Sequence, residues 1–394
     1  MIDDARFEAL RDRLGELHGR SHALARQIGD VEISALRSPA DLALIPVMRK
    51  SALAEMQRRA PPFGALEAAP TSAYPRLFAS PGGIYEPESA GDDPWGAAKA
   101  FAAAGVERGE VVVNCFSYHL TPGGRILESG ARALGCPVIP AGPGNTEALI
   151  AAIAQLRPSV YAGPPDFLKI VLDRARALSA DVSSIKKALV SGAALPSSLR
   201  AELEAAGIRT RQAYATADLG VIAFETDDAE GRLEPGLRVN DHLIVEIVTP
   251  GTNDLAPQGK VGEVVATRLA GDYPLLRFAT GDLSQWAAPG RLKGWMGRAD
   301  QSAKVKGLFV HPGQVVEVAR RHPELAAVRL VVARADEQDF MTLHAETASP
   351  SEPLAAAVAA TLRALIRLRG DVLLVAPGSL PNDGKIIADE RPAP

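Results

Sequence analysis

The sequence predicts an α/β protein: a large N-terminal domain with mixed and parallel sheets flanked by helices, a β-rich annex, and a small α+β C-terminal domain. Three observations carry this. Between about Arg76 and Tyr214, short apolar runs alternate with Ala- and Leu-rich helical stretches at the spacing of strand–helix–strand units, which makes parallel strands with helices on both faces. After Tyr214 the helical periodicity largely vanishes, and strand-like runs are joined by Gly, Pro, Asn and Asp turns. From Asp300 onward a smaller helix–strand–strand–helix–strand series follows.

Taken in order, residues 3–28 predict one highly charged amphipathic helix. A second helical segment over 38–59 opens on Ser38-Pro39-Ala40-Asp41, an entry signal with proline at an early position, and ends at Pro61-Pro62. Both read as packing helices. Residues 76–78 are strand-like. The alternation then runs through a strand at 111–116, a helix at 124–134, a strand at 137–140, a helix at 146–156, a strand at 159–162, a helix at 166–178, a strand at 187–191, a helix at 197–205 and a strand at 208–214. The annex strands are expected at 243–249, 262–268, 274–278 and 292–296. The last unit should hold a helix at 313–321, strands at 327–333 and 341–346, a helix at 354–369 and a strand at 371–375. This organisation sets the domains at 1–299 and 300–394, with residues near 298–301 as the candidate hinge.

Composition narrows the function classes. The chain has 394 residues, 47% hydrophobic and 23% charged, with a formal net charge of −4; that is a globular composition without the electropositive surplus that draws nucleic acid. Aromatics make up only 5%, which leaves little for base-stacking platforms. The two cysteines, Cys115 and Cys136, lie in apolar stretches and lack zinc spacing. The start is acidic rather than signal-like, and no apolar run approaches the roughly 20 residues of a membrane span, so a cytoplasmic protein is expected. The charged N-terminal helix could pack within a subunit or between subunits, which leaves oligomerisation open.

In a parallel sheet, ligands sit beyond the C-terminal ends of the strands, and several reactive residue types fall there. Ser80-Pro81-Gly82-Gly83 is a glycine turn able to offer backbone N–H groups to phosphate oxygens; it is not a G-x-x-x-x-G-K-[ST] loop, and an ordinary turn suits it equally. Phe116, Tyr118 and His119 end a strand, as pocket walls for a flat or apolar acid or as core and rim packing. The small residues Gly192 and Ala193 let a flat ring or acyl group approach the backbone. Tyr214 could lie against such a ring or fill the core. Asp218 carries a carboxylate suited to Mg²⁺ beside phosphates. Asp282, on the Gly turn Thr280-Gly281-Asp282, is placed to accept from ribose hydroxyls or to stabilise its own turn. Arg298 could meet a ribose or phosphate oxygen. Lys385, freed by Gly384, could carry an ammonium to a phosphate whose charge grows in a transition state, or stay solvated near the terminus.

These stretches, in this order, resemble the adenylate-forming (acyl-CoA synthetase) superfamily, and within it the phenylacetate–CoA ligase-like branch. The resemblance rests on Asn114-Cys115-Phe116-Ser117-Tyr118-His119 through Gly123-Gly124, Gly144-Asn145-Thr146-Glu147, Ser191-Gly192-Ala193, Tyr214 to Asp218, Arg277-Phe278-Ala279-Thr280-Gly281-Asp282-Leu283, Gly297-Arg298-Ala299-Asp300, Lys306-Gly307 and Lys385. It implies activation of a carboxylic acid by ATP to an acyl-adenylate, then thioester formation with coenzyme A, with Mg²⁺ as the nucleotide's partner and the C-terminal domain as a mobile lid. Under it, Lys385 is the catalytic lysine. Ser80, Gly82, Gly83, Gly192, Ala193, Tyr214, Thr216, Asp282 and Arg298 bind the nucleotide, and Asp218 holds the metal. Phe116, Tyr118, His119 and Gly192 shape the acid pocket, and Asp300 is the pivot.

The sequence also departs from that branch. Its phosphate loop is rich in Ser and Thr and carries a Lys before Pro, whereas this chain reads Gly82-Gly83-Ile84-Tyr85-Glu86-Pro87. Ala215 and Ala217 replace Gly and Ser/Thr, and Asp218 replaces Glu. Each lost hydrogen bond to a charged group is worth roughly 1.5–3 kcal/mol. Transfer to a carrier protein or an amine, and a non-catalytic nucleotide- or acyl-adenylate-binding protein, therefore stay open as alternatives.

Overall fold

The computed structural model describes residues 4–80, 83–296, 298–299, 303–310, 312–335, 338–381 and 385–392. The chain divides into two compact units, Met1–Met296 and Gly297–Ala393.

The first unit opens with helices α1 (Asp4–His18) and α2 (His22–Ile28). The single helix expected over 3–28 is broken at Gly19-Arg20-Ser21 because Ser21 is a helix cap: its Oγ accepts from Leu24 N at 3.3 Å and donates to Leu66 O at 2.6 Å. A short 3-10 turn, Pro39–Leu44, follows, held by Asp41 Oδ2 accepting from Ser38 N at 2.8 Å. The segment expected as one helix over 38–59 contains Pro46, which lacks the N–H a continuing helix needs. The chain instead extends as β1 (Met48–Arg49) before helix α3 (Lys50–Arg59).

Next comes the hairpin β2 (Leu77–Ser80) and β3 (Ile84–Pro87), then helix α4 (Ala97–Ala103). The parallel strands are β4 (Val112–Asn114), β5 (Val138–Pro140), β6 (Val160–Gly163), β7 (Lys187–Val190) and β8 (Arg209–Thr216). They are linked through α5 (Gly123–Ala133), α6 (Thr146–Leu156), α7 (Pro165–Ala177) and α8 (Ser197–Ala205). The alternation of side chains along each strand sorts the helices between the two faces. Val112, Val160, Ala162 and Leu189 pack with Ala100, Phe101, Ile126 and Leu127 of α4 and α5. Val113, Tyr161, Ala188 and Val190 pack with Ile150, Leu168, Val171 and Leu199 of α6, α7 and α8. The sheet continues antiparallel through β9 (Gly220–Phe224) and β10 (Leu237–Val239).

The annex is a second sheet. Strands β11 (Ile244–Val248), β12 (Gly262–Arg268) and β13 (Leu275–Ser284) pair antiparallel, and β1 adds to β13 in parallel. Strands β14 (Trp286–Ala288) and β15 (Arg291–Leu292) return to the edge of the nine-stranded sheet, whose order is β14-β15-β10-β9-β8-β7-β6-β4-β5. Two irregularities in the β12–β13 pairing shape the annex. One coincides with Arg277, whose φ is +44° and whose guanidinium is fully buried against Glu246 at 3.0 Å. Arg277 therefore serves the core of the annex. The other spans Gly281, at φ +78°, a backbone that favours glycine. Thr280-Gly281-Asp282 is accordingly a kink inside a ten-residue strand and not a turn after it.

The second unit holds the hairpin β16 (Ala303–Val305) and β17 (Leu308–Val310), helix α9 (Pro312–Arg321), β18 (Ala327–Ala335), β19 (Gln338–Glu346), helix α10 (Glu352–Ile366), β20 (Asp371–Val375) and β21 (Ile387–Asp389). Its four-stranded sheet runs β20-β19-β18-β21, with Val315, Val318, Val358 and Leu362 of the helices packed on Leu330, Val332 and Leu343. Among the described residues, no helix is long and apolar enough to cross a membrane.

Candidate active site

The C-terminal ends of β4, β6, β7 and β8 lie side by side in the parallel sheet, so the segments after them share one edge of the first unit. After β4, Asn114 Nδ2 donates to Tyr118 Oη at 2.8 Å and to Gly124 O at 2.8 Å, tying the loop to the start of α5. A Cβ at Gly124 would lie 2.8 Å from the Tyr118 ring, so this glycine lets the ring settle on the helix. Burial, with the Glu128 charge second, pushes the Tyr118 phenol up. Phe116 is half-buried, and His119 is exposed at the rim.

An apolar cavity of about 230 Å³ opens beside this loop, lined by Ile139, Gly142, Asn145, Leu149 and Phe167 among others. A Cβ at Gly142 would stand 4.0 Å from Tyr118 Cδ2. None of Phe116, Tyr118, His119 or Gly192 lines the cavity itself; its walls come from the end of β5, from α6 and from Phe167 of α7. These residues read in sequence as ordinary strand and helix core, and only the crossover connections bring them together.

After β7, Gly192 takes φ +78°, with Ala193 half-buried beside it. At the end of β8, Tyr214 is only 9% exposed and packs among Met48, Leu219 and Phe278. Its hydroxyl donates to Asp282 Oδ2 at 2.8 Å and lies 3.3 Å from Thr280 Oγ1. Asp282 Oδ1 accepts from the Trp295 indole at 3.0 Å. Thr280 Oγ1 accepts from Asp282 N at 3.1 Å, which fixes the kink. Thus Tyr214, Thr280 and Asp282, from two different sheets, meet in one cluster. Trp295 belongs to it without any local motif to announce it. Thr216 Oγ1 accepts from Leu219 N at 3.2 Å and closes the β8–β9 turn.

The glycine turn sits at the tip of the β2–β3 hairpin. Ser80 is buried and donates to Ile84 O at 3.2 Å, Gly83 takes φ +76°, and Gly82 lies outside the described residues. Behind the tip is a buried polar cluster. Asp218 is 3% exposed, and its Oδ2 accepts from Lys50 Nζ at 2.7 Å. Glu86, 5% exposed, faces Asp218, and the buried Arg268 acts electrostatically on both. Neither oxygen of the Glu86 carboxyl has a hydrogen-bond donor among the described residues. Burial, reinforced by the Asp218 charge, holds the Glu86 carboxyl well above the usual range. Burial works the same way on Asp218, but the Lys50 ammonium, with the Glu86 side chain second, outweighs it and keeps Asp218 below its ordinary value.

This cluster bears on the expectation that Asp218 holds Mg²⁺. A magnesium site needs open oxygen ligands in near-octahedral array. Asp218 has an ammonium on one oxygen and the buried Glu86 carboxyl beside it, and the described residues include no group of three potential metal ligands. As arranged, the donor set does not fit a protein-bound magnesium. The local sequence at Asp218 gives no sign of Lys50, which is 168 positions away.

Two expected residues belong to the second unit. Arg298 is half-buried. Lys385 is exposed just before β21, and its backbone carbonyl accepts from Arg329 Nη1 at 3.3 Å. Asp300, the expected pivot, lies outside the described residues.

Comparison with known proteins places this geometry. The AMP-binding enzyme profile matches residues 96–269. The phenylacetate-coenzyme A ligase of Aromatoleum evansii is 30% identical over 328 residues, covering 79% of this chain and 73% of that protein. The phenylacetate-coenzyme A ligase of Thermus thermophilus is 29% identical over 341 residues, covering 81% of this chain and 75% of that protein. Among solved structures, a 2-hydroxyisobutyryl-CoA ligase in complex with 2-HIB-AMP and CoA shares the fold. Its TM-score is 0.81 at 22% identity, over 100% of this chain and 91% of that one. Sequence and fold agree that this chain belongs to the AMP-binding, adenylate-forming enzyme family, alongside the phenylacetate–coenzyme A ligases.

Proposed function

We propose that this protein is an AMP-forming acid–thiol ligase. The carboxylate oxygen of a small organic acid attacks the α-phosphorus of ATP, the bond to the bridging oxygen breaks, and pyrophosphate leaves. The thiol of coenzyme A then attacks the acyl carbon of the adenylate, the bond to AMP breaks, and the thiol proton passes to solvent.

The observation that carries this reading is the Tyr214–Thr280–Asp282 cluster. A buried carboxylate at the junction of two sheets, fixed by a phenol on one oxygen, suits two adjacent ribose hydroxyls. Tyr214 and the Gly192-Ala193 backbone flank the base, and Arg298 assists at the sugar. Ser80, Gly82, Gly83 and Thr216 approach the phosphates. Lys385 on the second unit stabilises the charge developing at the α-phosphate, with the segment around Asp300 as the pivot of a mobile 300–394 lid.

The acid's apolar body fits the 230 Å³ cavity beside the Tyr118 loop, which favours an aromatic or compact acid over a long chain, with Phe116 and His119 on that neighbouring loop. Magnesium enters on the nucleotide's own phosphates, because Asp218 is engaged by Lys50. The test is AMP release from ATP and a panel of aromatic and short branched acids, with and without coenzyme A. Pyrophosphate exchange that coenzyme A does not stimulate would assign the acceptor to a carrier protein or amine.

A second reading, a nucleotide- or acyl-adenylate-binding protein without turnover, is favoured by the closed Lys50–Asp218–Glu86 cluster beside a hairpin that lacks the branch's hydroxyls. AMP binding by calorimetry with no AMP release across the panel would establish it.

A further inference from the structure

Tyr214 and Trp295 both donate to Asp282, and they differ in character. Tyr214 is fixed in the core, and its hydroxyl has a second neighbour in Thr280 Oγ1 at 3.3 Å. Trp295 is half-buried in the irregular segment 293–296, the last residues of the first unit. That segment is strapped along the end of β13: Lys293 N donates to Gln285 O at 2.8 Å, Met296 N to Leu283 O at 2.9 Å, and Ser284 Oγ to Gly294 O at 2.6 Å. The indole N–H ties it to the cluster, donating to Asp282 Oδ1 at 3.0 Å.

A carboxylate grips a cis-diol with one oxygen per hydroxyl. Asp282 is only 6% exposed and each of its oxygens already meets a donor, so an arriving hydroxyl crowds the donors in place. Tyr214 is fixed in the core with Thr280 beside its hydroxyl, whereas Trp295 is half-buried on an irregular segment, so the indole is the donor placed to give way. We propose that the ribose diol of a bound nucleotide displaces the Trp295 indole from Asp282 Oδ1, making Trp295 a positioning residue that reports ribose occupancy to the chain segment leading into the second unit. This rests on the nucleotide-binding role proposed above for Asp282. It makes the anchoring of residues 293–296 conditional on the sugar, through a residue that touches neither the base nor the phosphates.

The experiment pairs calorimetry with tryptophan emission. AMP should shift the emission of the wild-type protein, and the shift should vanish in Trp295→Phe. In wild type, 2′,3′-dideoxy-AMP should bind without the shift. Because Trp295→Phe removes the competing donor, AMP should bind it about three- to tenfold more tightly; a purely structural tryptophan would give weaker binding instead. A full emission shift in Trp295→Phe, weaker or unchanged AMP affinity in that variant, or the same shift with the dideoxy nucleotide would each overturn the inference. The dideoxy arm uses wild-type protein and stands even if the variant folds poorly. If AMP binds but Trp295 does not respond, the inference alone fails; if wild-type protein binds no AMP, the functional reading fails with it.

Discussion

Replacing Lys50 with methionine removes the ammonium that contacts the buried Asp218 carboxylate while keeping the length of the side chain. The Asp218 side chain is 2% exposed and that of Lys50 is 30% exposed. Breaking a buried ion pair from one side costs about 3–5 kcal/mol, because a buried charge is left uncompensated. Two features lower that figure here. Lys50 is partly in water, and Arg268 still faces the site and offsets part of the charge. Lys50→Met should therefore cost about 2–3 kcal/mol, and Asp218→Asn in the same chain should restore most of it.

The assay is urea denaturation followed by tryptophan emission. Trp95, Trp286 and Trp295 all lie in the first unit, so emission reports that unit specifically. A Lys50→Met midpoint within about 0.5 kcal/mol of wild type, the usual range of surface substitutions, would refute the reasoning. So would a double variant as unstable as the sum of the two single ones.

Lys385→Ala should slow ATP–pyrophosphate exchange about a hundredfold, the scale of losing one preorganised charge at a transition state, with AMP affinity nearly unchanged by calorimetry; a wild-type exchange rate would remove Lys385 from catalysis. Asp282→Asn should weaken AMP about tenfold or more through loss of a charged acceptor but leave 2′,3′-dideoxy-AMP untouched, since that nucleotide has no hydroxyl to offer. His242 adds a pH dependence: burial first, and the Arg268 charge second, lower its pKa from 6.5 to about 4. The unfolded chain then binds the proton more readily than the folded one, so stability present at pH 7 is lost as pH falls from 6.5 toward 4, by about 2 kcal/mol at pH 5. The melting temperature measured between pH 7 and 5 should fall less in His242→Gln than in wild type, and an identical slope would reject this assignment.

The alternation of strands and helices between 111 and 214 was legible because burial on both faces of a parallel sheet writes continuous apolar strands between amphipathic helices. The expected helices and strands of that stretch appear within a residue or two of their places. The N-terminal segments were less legible. Helical composition over 3–28 and 38–59 was overridden by Ser21 capping and by the extension at Pro46, where β1 joins the annex sheet. The kink at Gly281 was visible as a Gly turn, but strand pairing on both sides of it was not.

By itself the sequence determined the fold class, the order of the family's motifs and the residue types at the strand ends, because local periodicity and short motifs are written in neighbouring residues. Only the tertiary structure decided that Tyr214 and Asp282 meet, that Trp295 completes their cluster, and that Lys50 neutralises Asp218 across 168 positions of chain. Those contacts depend on which strands pair and which loops the crossovers bring to one edge. A buried charge finds its partner through space, and nothing in its own stretch of sequence records which partner that will be.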